Sequence, residues 1–455
     1  AVVDIISGAT NPSGHLSDIY ATSSLSAPAM INYGDYSYTN KDQVIARSKG
    51  TGQKYVIEAE NIYTGYRYYE TRYADYVNDL GNARSNAGSS YTDGNWEYSK
   101  EVTYGFGYGL SYTTFSQEIV GKPTLKHDGH NFVFDFKVKV TNTGNVKGKD
   151  VVQIYGQAPY TDYDKEHNIE KASVELVGFA KTKLLEPNEK EKLTVVVKGE
   201  DFKTYDSYNK KTYILEKGDY YLGVGTSSHN AINNILAKKG YSTSNGMDEN
   251  GNASLVEKIT ISNNDFEKYS VSSQTGYKIT NQFEDADINR FDTEYKYLSR
   301  SNWLDTLTSS ANYKNKSWTV PSEMLEALKW NRSDAVINDS SLPNVIFGST
   351  ATNYTIKDLI NVDYNDQKWD DLVNQLTWNQ ASKLVRIGGY STLPIDSIGL
   401  PSTQDKDGPS GISGTLVGGT SCMAWPAEVV MSSTWNTKLI EEAGVHIGED
   451  SIASN

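Results

Sequence analysis

The sequence has almost no cysteine and few histidines. Cys422 is its one cysteine, which excludes an internal disulfide and any metal cluster built from cysteines. The six histidines show neither H-x-x-x-H nor H-E-x-x-H spacing. We therefore expect no bound metal ion.

Basic charge and long apolar runs are also scarce. The chain has 57 acidic against 43 basic residues and a formal net charge of -14, and no run of Lys or Arg offsets this balance. A nucleic-acid partner is therefore not expected, because phosphate binding requires a basic face. The longest apolar stretches are too short for a membrane span, and the start lacks a basic-then-apolar leader, so we expect a soluble chain.

Tyrosine and tryptophan are abundant, at 33 and 8 residues. Such rings, which carry a polar group on an apolar body, suit contact with hydroxyl-rich ligands such as sugars. Tyrosines on the exposed strands of a β-rich protein would explain the composition equally well.

Three glycines stand at alternate positions in the segment YGFGYGLSYTTF, residues 104–115. A dinucleotide fingerprint requires the different spacing G-x-G-x-x-G, between a strand and the N-terminus of a helix. The residues that follow Gly109 are aromatic and β-hydroxy types, which prefer a strand to a helix. The segment therefore favours a bend that leads into a strand over a phosphate cradle.

A period of two residues marks the chain from about 116 to 225. In FVFDFKVKV, residues 132–140, apolar side chains share one face and charged side chains the other, as in a half-buried antiparallel strand. Further strands, separated by turn signals, are predicted at 151–155, 193–197 and 219–225. The pattern predicts a β-sandwich of about one hundred residues.

The following part, residues 226 to about 300, is rich in Ser, Asn and Asp. This composition predicts a connector with little core of its own. Its segment DENGNAS, residues 248–254, lacks the spacing and the closing glutamate of a calcium loop. The segment is therefore interpreted as a solvated loop.

Helical periodicity returns towards the end of the chain. Apolar residues at i, i+3, i+4 and i+7 predict a helix over residues 369–376. Thr377 and Gln380 form a capping-box pattern, so a second helix should begin near residue 378 and end at the following glycine pair. A last helix is predicted to hold Trp435, Leu439, Ile440 and Ala443.

Two separated motifs, YGFGYGLSYTTF and DKDGPSGIS, resemble segments of one enzyme family, glycoside hydrolase family 3. YGFGYGLSYTTF is similar to the family's link between its α/β sandwich and its fibronectin type III-like domain. DKDGPSGIS, residues 405–413, is similar to the turn at the first strand of the catalytic barrel. NPSGHLS, GYRYYE and the segment from Trp425 to Asp450 match as well. The chain departs from the family at Gly105, where proline is usual, and at Ser413 or Gly414, where arginine is usual.

The resemblance implies an α/β multidomain fold of the β-glucosidase type, in permuted order and incomplete at both ends. A closed barrel needs roughly 200 to 250 residues, so we expect the remaining polypeptide of the same enzyme as a partner. The implied domains are the C-terminal part of an α/β sandwich (1–115), a fibronectin type III-like β-sandwich (116–225), a connector with short elements (226–360) and the first part of a (β/α)8 TIM-like catalytic barrel (361–455).

The implied function is the hydrolysis of terminal non-reducing β-D-glucosyl residues in glycosides or oligosaccharides, by a retaining double displacement without a cofactor. This chemistry uses two carboxyl groups about 5 Å apart, and the resemblance places both outside this chain, so no catalytic residue is assigned. Asp407 matches the family aspartate that accepts hydrogen bonds from sugar hydroxyls and is the predicted substrate-binding residue. An aspartate before Gly408 also fits a structural Asx turn.

Other functions stay open at this stage. β-Xylosidase and α-L-arabinofuranosidase are the alternatives within the family, because the residues that separate these sugars lie largely outside the chain. A non-catalytic carbohydrate-binding remnant is the alternative outside it, since neither catalytic carboxyl group is found. The sequence also leaves open the compartment and whether the protein forms a homo-oligomer.

Overall fold

The computed structural model of the protein describes most of the chain, namely residues 2–33, 37–48, 54–56, 58–91, 94–127, 132–291, 295–307, 317–327, 347–348, 352–406, 408, 410–412 and 422–453. The chain forms two compact units. The first comprises Ala1–Trp330 and Ser433–Asn436, and the second comprises Asn331–Ser432 and Thr437–Asn455. The stretch Ser433–Asn436 thus belongs to the first unit although its neighbours in the chain belong to the second.

Helices occur in both units. Those of the first unit are α1 (Val2–Ile6), α2 (Pro28–Asn32), α3 (Lys41–Ser48), α4 (Tyr66–Asn78), α5 (Tyr98–Glu101), α6 (Asp162–Glu166), α7 (Ser228–Lys238) and α8 (Ser322–Ala327). Those of the second unit are α9 (Gln367–Asn374), α10 (Trp378–Ile387), α11 (Glu428–Ser432) and α12 (Thr437–Ala453).

The strands lie mainly in the first unit. They are β1 (Tyr20–Ala21), β2 (Ser37–Tyr38), β3 (Val102–Tyr104), β4 (Phe115–Ile119), β5 (Thr124–His127), β6 (Phe132–Asn142), β7 (Val151–Gln157), β8 (Glu175–Lys181), β9 (Lys190–Lys198), β10 (Thr204–Asp206), β11 (Thr212–Ile214), β12 (Gly218–Gly225), β13 (Val256–Ile261) and β14 (Ser317–Trp318). The second unit has the short strands β15 (Ser391–Thr392) and β16 (Thr403–Gln404).

Two antiparallel four-stranded sheets enclose one apolar core. One sheet has the order β13-β12-β7-β8, and in the other β6 pairs with β4, β5 and β9. The alternation predicted from the sequence is confirmed, because Phe136, Val138 and Val140 of β6 are fully buried. They belong to one buried apolar cluster with Ile154 of β7 and Leu222 of β12. The predicted β-sandwich is therefore present.

The sheet that contains β7 is covered on its second face as well. Every residue of β7 is buried, because alternate side chains enter different cores. Ile154 belongs to the sandwich core, whereas Tyr155 belongs to a second cluster that also includes residues of α4 and α7. Burial on both faces explains why VVQIY shows a continuous apolar run rather than an alternation.

The expectation that residues 226–300 carry little core is wrong for part of this range. Helix α7 begins just after the sandwich, and its Ala231, Ile232, Ile235 and Leu236 are fully buried. Strand β13 extends the sheet by pairing antiparallel with β12. Four apolar side chains on one face are enough to fix a helix even when the surrounding composition is polar.

The second unit contains the helices predicted towards the end of the chain. Helix α9 spans Gln367–Asn374, and α10 begins at Trp378 behind the predicted Thr377 capping box. Leu372, Leu376 and Ile395 are among the residues that form its core. These two helix predictions are confirmed.

The prediction that Trp435 lies in the last helix is wrong. Helix α12 begins at Thr437, and Trp435 has a left-handed backbone with φ of 49°. Its indole is 5% exposed and packs against Phe106 and Phe179 in the first unit. Tertiary packing of the indole explains why this residue leaves the helical pattern.

Candidate functional site

The glycine-rich segment forms a bend that leads into β4, as the sequence predicted. Gly107 has φ of 81°, and a Cβ atom there would lie 2.0 Å from Oε1 of Gln153. A Cβ atom at Gly109 would lie 2.5 Å from the carbonyl oxygen of Gly14. The amide of Gly107 donates to the carbonyl of Leu16 at 2.9 Å. The glycines therefore allow close packing, and this amide is engaged within the protein rather than with a phosphate.

His15, in the NPSGHLS turn, ties that turn to the glycine-rich segment. Its Nδ1 lies 2.8 Å from the carbonyl oxygen of Gly107, which can only accept, so Nδ1 carries the proton. Burial lowers the pKa of His15 below its usual 6.5. The carbonyl of His15 accepts from Nε1 of Trp435 at 3.0 Å. Three separate stretches of the first unit are thus joined at His15.

Lys181 is the cation at this junction. Its Nζ donates to the carbonyl oxygens of Ser13 at 2.7 Å and Thr434 at 2.5 Å. Burial, assisted by the nearby charge of Lys149, lowers the pKa of Lys181 to about 8. A perturbed pKa often marks a functional site, but both bonds go to backbone carbonyls, which indicates a structural role.

The predicted substrate-binding residue, Asp407, lies outside the described residues. The residues around it are described. Strand β16 ends at Gln404, directly before Asp405, whose side chain is exposed. The backbone amide of Asp405 donates to the carbonyl oxygen of Tyr390 at 2.7 Å. A Cβ atom at Gly408 would lie 1.8 Å from the carbonyl oxygen of Gly411. This tight approach shows that the turn next to Asp407 requires glycine.

The other side of this turn is braced by Trp425. Its amide donates to the carbonyl of Ser410 at 2.8 Å, and its Nε1 donates to Asp450 of α12 at 3.1 Å. The indole also stacks on His446 of the same helix, with ring centroids 6.1 Å apart. The strand end at Asp405 and the residues after Gly408 are therefore held by contacts within the second unit.

A buried charge network that sequence reasoning missed surrounds His229 of α7. Its Nδ1 lies 2.9 Å from Oε2 of Glu70, and its Nε2 lies 2.9 Å from Oδ2 of Asp248. Tyr98 stacks on the imidazole, with ring centroids 3.8 Å apart. Burial alone would lower the pKa of His229, but the two carboxylates outweigh it and raise the pKa to about 10. The two carboxylates therefore favour the protonated, cationic ring at neutral pH.

A second charge network lies on the loop between β7 and β8. Nζ of Lys171 contacts Asp164 at 2.9 Å and also Glu216, and all three side chains are at most 4% exposed. Burial raises the pKa of Asp164 to about 7, against the opposing effect of Lys171. The network ties helix α6 to Glu216, the second residue after β11.

Neither network has the form of a glycosidase site. Glu70 is fully buried, and its oxygens accept from Tyr98, Ser228 and His229. A retaining pair must flank a sugar and leave its oxygens free for the reaction. The cation between Glu70 and Asp248 occupies that space, so this network holds α4 and α7 together rather than performing catalysis.

The segment DENGNAS, residues 248–254, which was compared with a calcium loop above, contributes Asp248 to the network around His229. Oδ1 of Asp248 accepts from the hydroxyl of Tyr73 at 2.7 Å, in addition to the contacts with His229. Within the described residues, no group of three or more His, Cys, Asp or Glu side chains is arranged to hold a metal ion. No helix in that part of the chain is long and apolar enough to cross a membrane.

Comparison with known proteins identifies relatives of the chain. The fibronectin type III-like domain family matches residues 150–228. All of the chain aligns with Beta-glucosidase A of Butyrivibrio fibrisolvens at 26% identity over 473 residues, which cover 48% of that protein. Half of the chain is 29% identical to Beta-glucosidase BoGH3A of Bacteroides ovatus, covering 24% of it. The chain thus spans about half or less of the length of these curated relatives.

A solved structure of a β-glucosidase from Paenibacillus barengoltzii shares the fold. It matches 97% of this chain with a TM-score of 0.54 and 22% identity, and the match covers 39% of that chain. The structural match supports the α/β multidomain fold, and the domain match lies within the β-sandwich described above. Together with the motif resemblances at residues 104–115 and 405–413, these matches support a protein of the β-glucosidase type of glycoside hydrolase family 3.

Proposed function

We propose that the chain is part of an exo-acting β-glucosidase, which hydrolyses terminal non-reducing β-D-glucosyl residues with retention of configuration. The observation that carries the proposal is the alignment of the whole chain with Beta-glucosidase A of Butyrivibrio fibrisolvens. A colinear match from end to end supports a shared arrangement of domains in addition to shared motifs.

The reaction requires two carboxyl groups. One carboxylate attacks the anomeric carbon while the other group protonates the departing oxygen, which gives a covalent glycosyl-enzyme. Water then attacks the same carbon, gives its proton to the second group and releases the first carboxylate. The resemblance places both groups in polypeptide beyond this chain, which makes that polypeptide a required partner.

The domain boundaries and the barrel belong to the same proposal. Residues 1–115, 116–225 and 226–360 would form the end of an α/β sandwich, the fibronectin type III-like domain and a connector, and residues 361–455 would begin a TIM-like barrel. The turn after β16 supports this assignment, since active-site residues of TIM barrels follow the C-terminal ends of strands.

Asp407 would bind the sugar in this arrangement. An ionised carboxylate accepts charge-assisted hydrogen bonds from two neighbouring hydroxyl groups, and such bonds are stronger than neutral ones. The close approach of Gly408 to Gly411 and the bond between Ser410 and Trp425 support a turn that holds its side chains in fixed positions.

The test compares two aspartates of the complete enzyme. Asp407→Asn removes the charge but keeps the shape, and kcat/KM on an aryl β-glucoside should fall between about 100-fold and 10,000-fold, since two hydrogen bonds to a charged group are lost. Asp405→Asn is the matched control, because its side chain is exposed and its bond to Tyr390 uses the backbone. The control should retain kcat/KM within about twofold.

Two results would contradict the proposal. An unchanged kcat/KM in Asp407→Asn would remove this residue from the sugar site and favour the Asx turn. A panel of aryl glycosides on the complete protein tests the sugar: preference for a β-xyloside or an α-L-arabinofuranoside would replace the β-glucosidase assignment, and failure to cleave any of them would favour a carbohydrate-binding remnant.

A further inference from the structure

Three exposed tyrosines lie side by side on the surface of the first unit. Tyr20 of β1 is directly opposite Tyr104 of β3 in the antiparallel pair. The ring of Tyr104 is next to that of Tyr108, with centroids 5.2 Å apart and planes inclined by 31°. Their exposed fractions are 51%, 47% and 37%. We call these three residues the tyrosine platform.

The backbone beneath the platform is fixed by hydrogen bonds. The amide of Leu16 donates to the carbonyl of Tyr108 at 2.8 Å, and the amide of Gly107 donates to the carbonyl of Leu16 at 2.9 Å. A side-chain bond of 3.2 Å between Thr22 and Thr103 also joins the two strands. A surface that is already rigid loses little conformational freedom when a ligand binds.

The size of the platform argues against a protein partner. A buried aromatic side chain covers about 150–250 Å², so three rings at roughly half exposure offer on the order of 300 Å². A stable protein interface needs about 800 Å² on each partner. The area instead suits a few sugar rings, and the phenol oxygens add hydrogen-bonding groups at its edge.

We propose that the tyrosine platform binds a β-linked gluco-oligosaccharide by stacking of its sugar rings on Tyr104 and Tyr108. The axial C–H bonds of β-glucosyl units form flat apolar faces that match aromatic rings, while their equatorial hydroxyls reach the phenol oxygens. The net charge of -14 is no obstacle, because the ligand is uncharged. The choice of a β-glucan rests on the proposed function.

Binding is measured by calorimetry on the complete protein with thio-linked cellotetraose, which resists hydrolysis. The variant Tyr104→Ala with Tyr108→Ala should raise Kd at least about tenfold, because two stacking contacts are lost. Tyr104→Phe with Tyr108→Phe keeps the rings and should stay within about threefold of wild type. Tyr364→Ala is the matched control, because Tyr364 is 86% exposed in the second unit and belongs to no ring pair among the described residues.

Specific outcomes would overturn the platform. The proposal is wrong if the Kd of the double alanine variant stays within twofold of wild type. It is also wrong if the wild-type protein binds thio-linked maltotetraose as tightly as thio-linked cellotetraose, because α-linkages do not present the same flat face. Cleavage of an aryl β-glucoside is measured separately on the wild-type enzyme. Loss of tyrosine-dependent binding with intact cleavage refutes only the platform, whereas absent cleavage with tyrosine-dependent binding refutes only the proposed function.

Discussion

Replacing Gly107 with alanine would place a methyl group where the structure has no room for one. The new Cβ atom would lie 2.0 Å from Oε1 of Gln153 and 2.8 Å from the hydroxyl of Tyr155. Gln153 is fully buried, and its Nε2 donates to Gly107 at 2.9 Å and to Thr226 at 3.2 Å. Its Oε1 accepts from Tyr155 at 2.7 Å. The glutamine cannot move aside without breaking these bonds.

The expected cost follows from three contributions. A left-handed backbone costs alanine about 1–2 kcal/mol relative to glycine. Loss of two or three hydrogen bonds of Gln153 costs about 0.5–1.5 kcal/mol each. Alanine also restricts the unfolded chain, which offsets about 0.4–1 kcal/mol. We therefore expect Gly107→Ala to lower the local free energy of unfolding by roughly 3 kcal/mol.

Hydrogen exchange measured on the complete protein reports this local stability. The amide at position 107, which is bonded to Leu16, should exchange about 100-fold faster in Gly107→Ala. Gly105→Ala is the matched control, because the nearest atom to its Cβ would be the hydroxyl of Tyr98 at 3.4 Å, an ordinary contact. If the two variants exchange equally fast, close packing is not the reason for glycine at position 107.

Two buried charge networks give further predictions. His229→Gln should lower the free energy of unfolding by about 3–5 kcal/mol, because it leaves Glu70 buried without its cation. Since the pKa of His229 is raised from 6.5 to about 10, its contribution is complete below pH 6.5 and is lost as the pH rises through 10. The melting temperature of the wild type should therefore fall between pH 6.5 and pH 10, and that of His229→Gln should not. The pKa of Asp164 is raised from 3.8 to about 7, so stability should fall as the pH rises from 3.8 through 7. Asp164→Asn should remove this fall. If the stability of His229→Gln or Asp164→Asn depends on pH as that of the wild type does, the replaced residue is not the group that titrates.

The parts of the fold that the sequence predicts are those determined by local patterns. The alternation in β6 is visible because one face is buried and the other is solvated. The start of α10 is visible because Thr377 and Gln380 satisfy each other's backbone amides, at 2.8 Å and 3.3 Å. The glycine-rich bend is visible because its spacing and the residues after it do not fit a phosphate loop.

The parts that the sequence does not predict depend on contacts between distant residues. The sequence of helix α7 resembles a polar connector because it carries Asn233 and Asn234, yet both side chains are buried. Asn233 accepts a hydrogen bond from the hydroxyl of Tyr73, and Asn234 donates one to the carbonyl of Val224. Glu70 and His229 are 159 positions apart in the chain. No periodicity reports such a pair. Asp407 stays a prediction, because it lies outside the described residues.

The buried networks also show why a perturbed pKa is a poor guide to the sugar site in this protein. The two carboxylates beside His229 raise its pKa, and burial raises the pKa of Asp164 against the opposing charge of Lys171. Such shifts arise in structural ion pairs as readily as in active sites. A carboxylate that binds a sugar needs acceptor positions that the protein itself does not fill, whereas Glu70 already accepts hydrogen bonds from Tyr98, Ser228 and His229. The turn after β16 differs, since Asp405 is exposed at a braced strand end. The contacts of Glu70 therefore argue against a sugar site at the His229 network, and Asp407, in the turn after β16, stays the proposed sugar-binding residue.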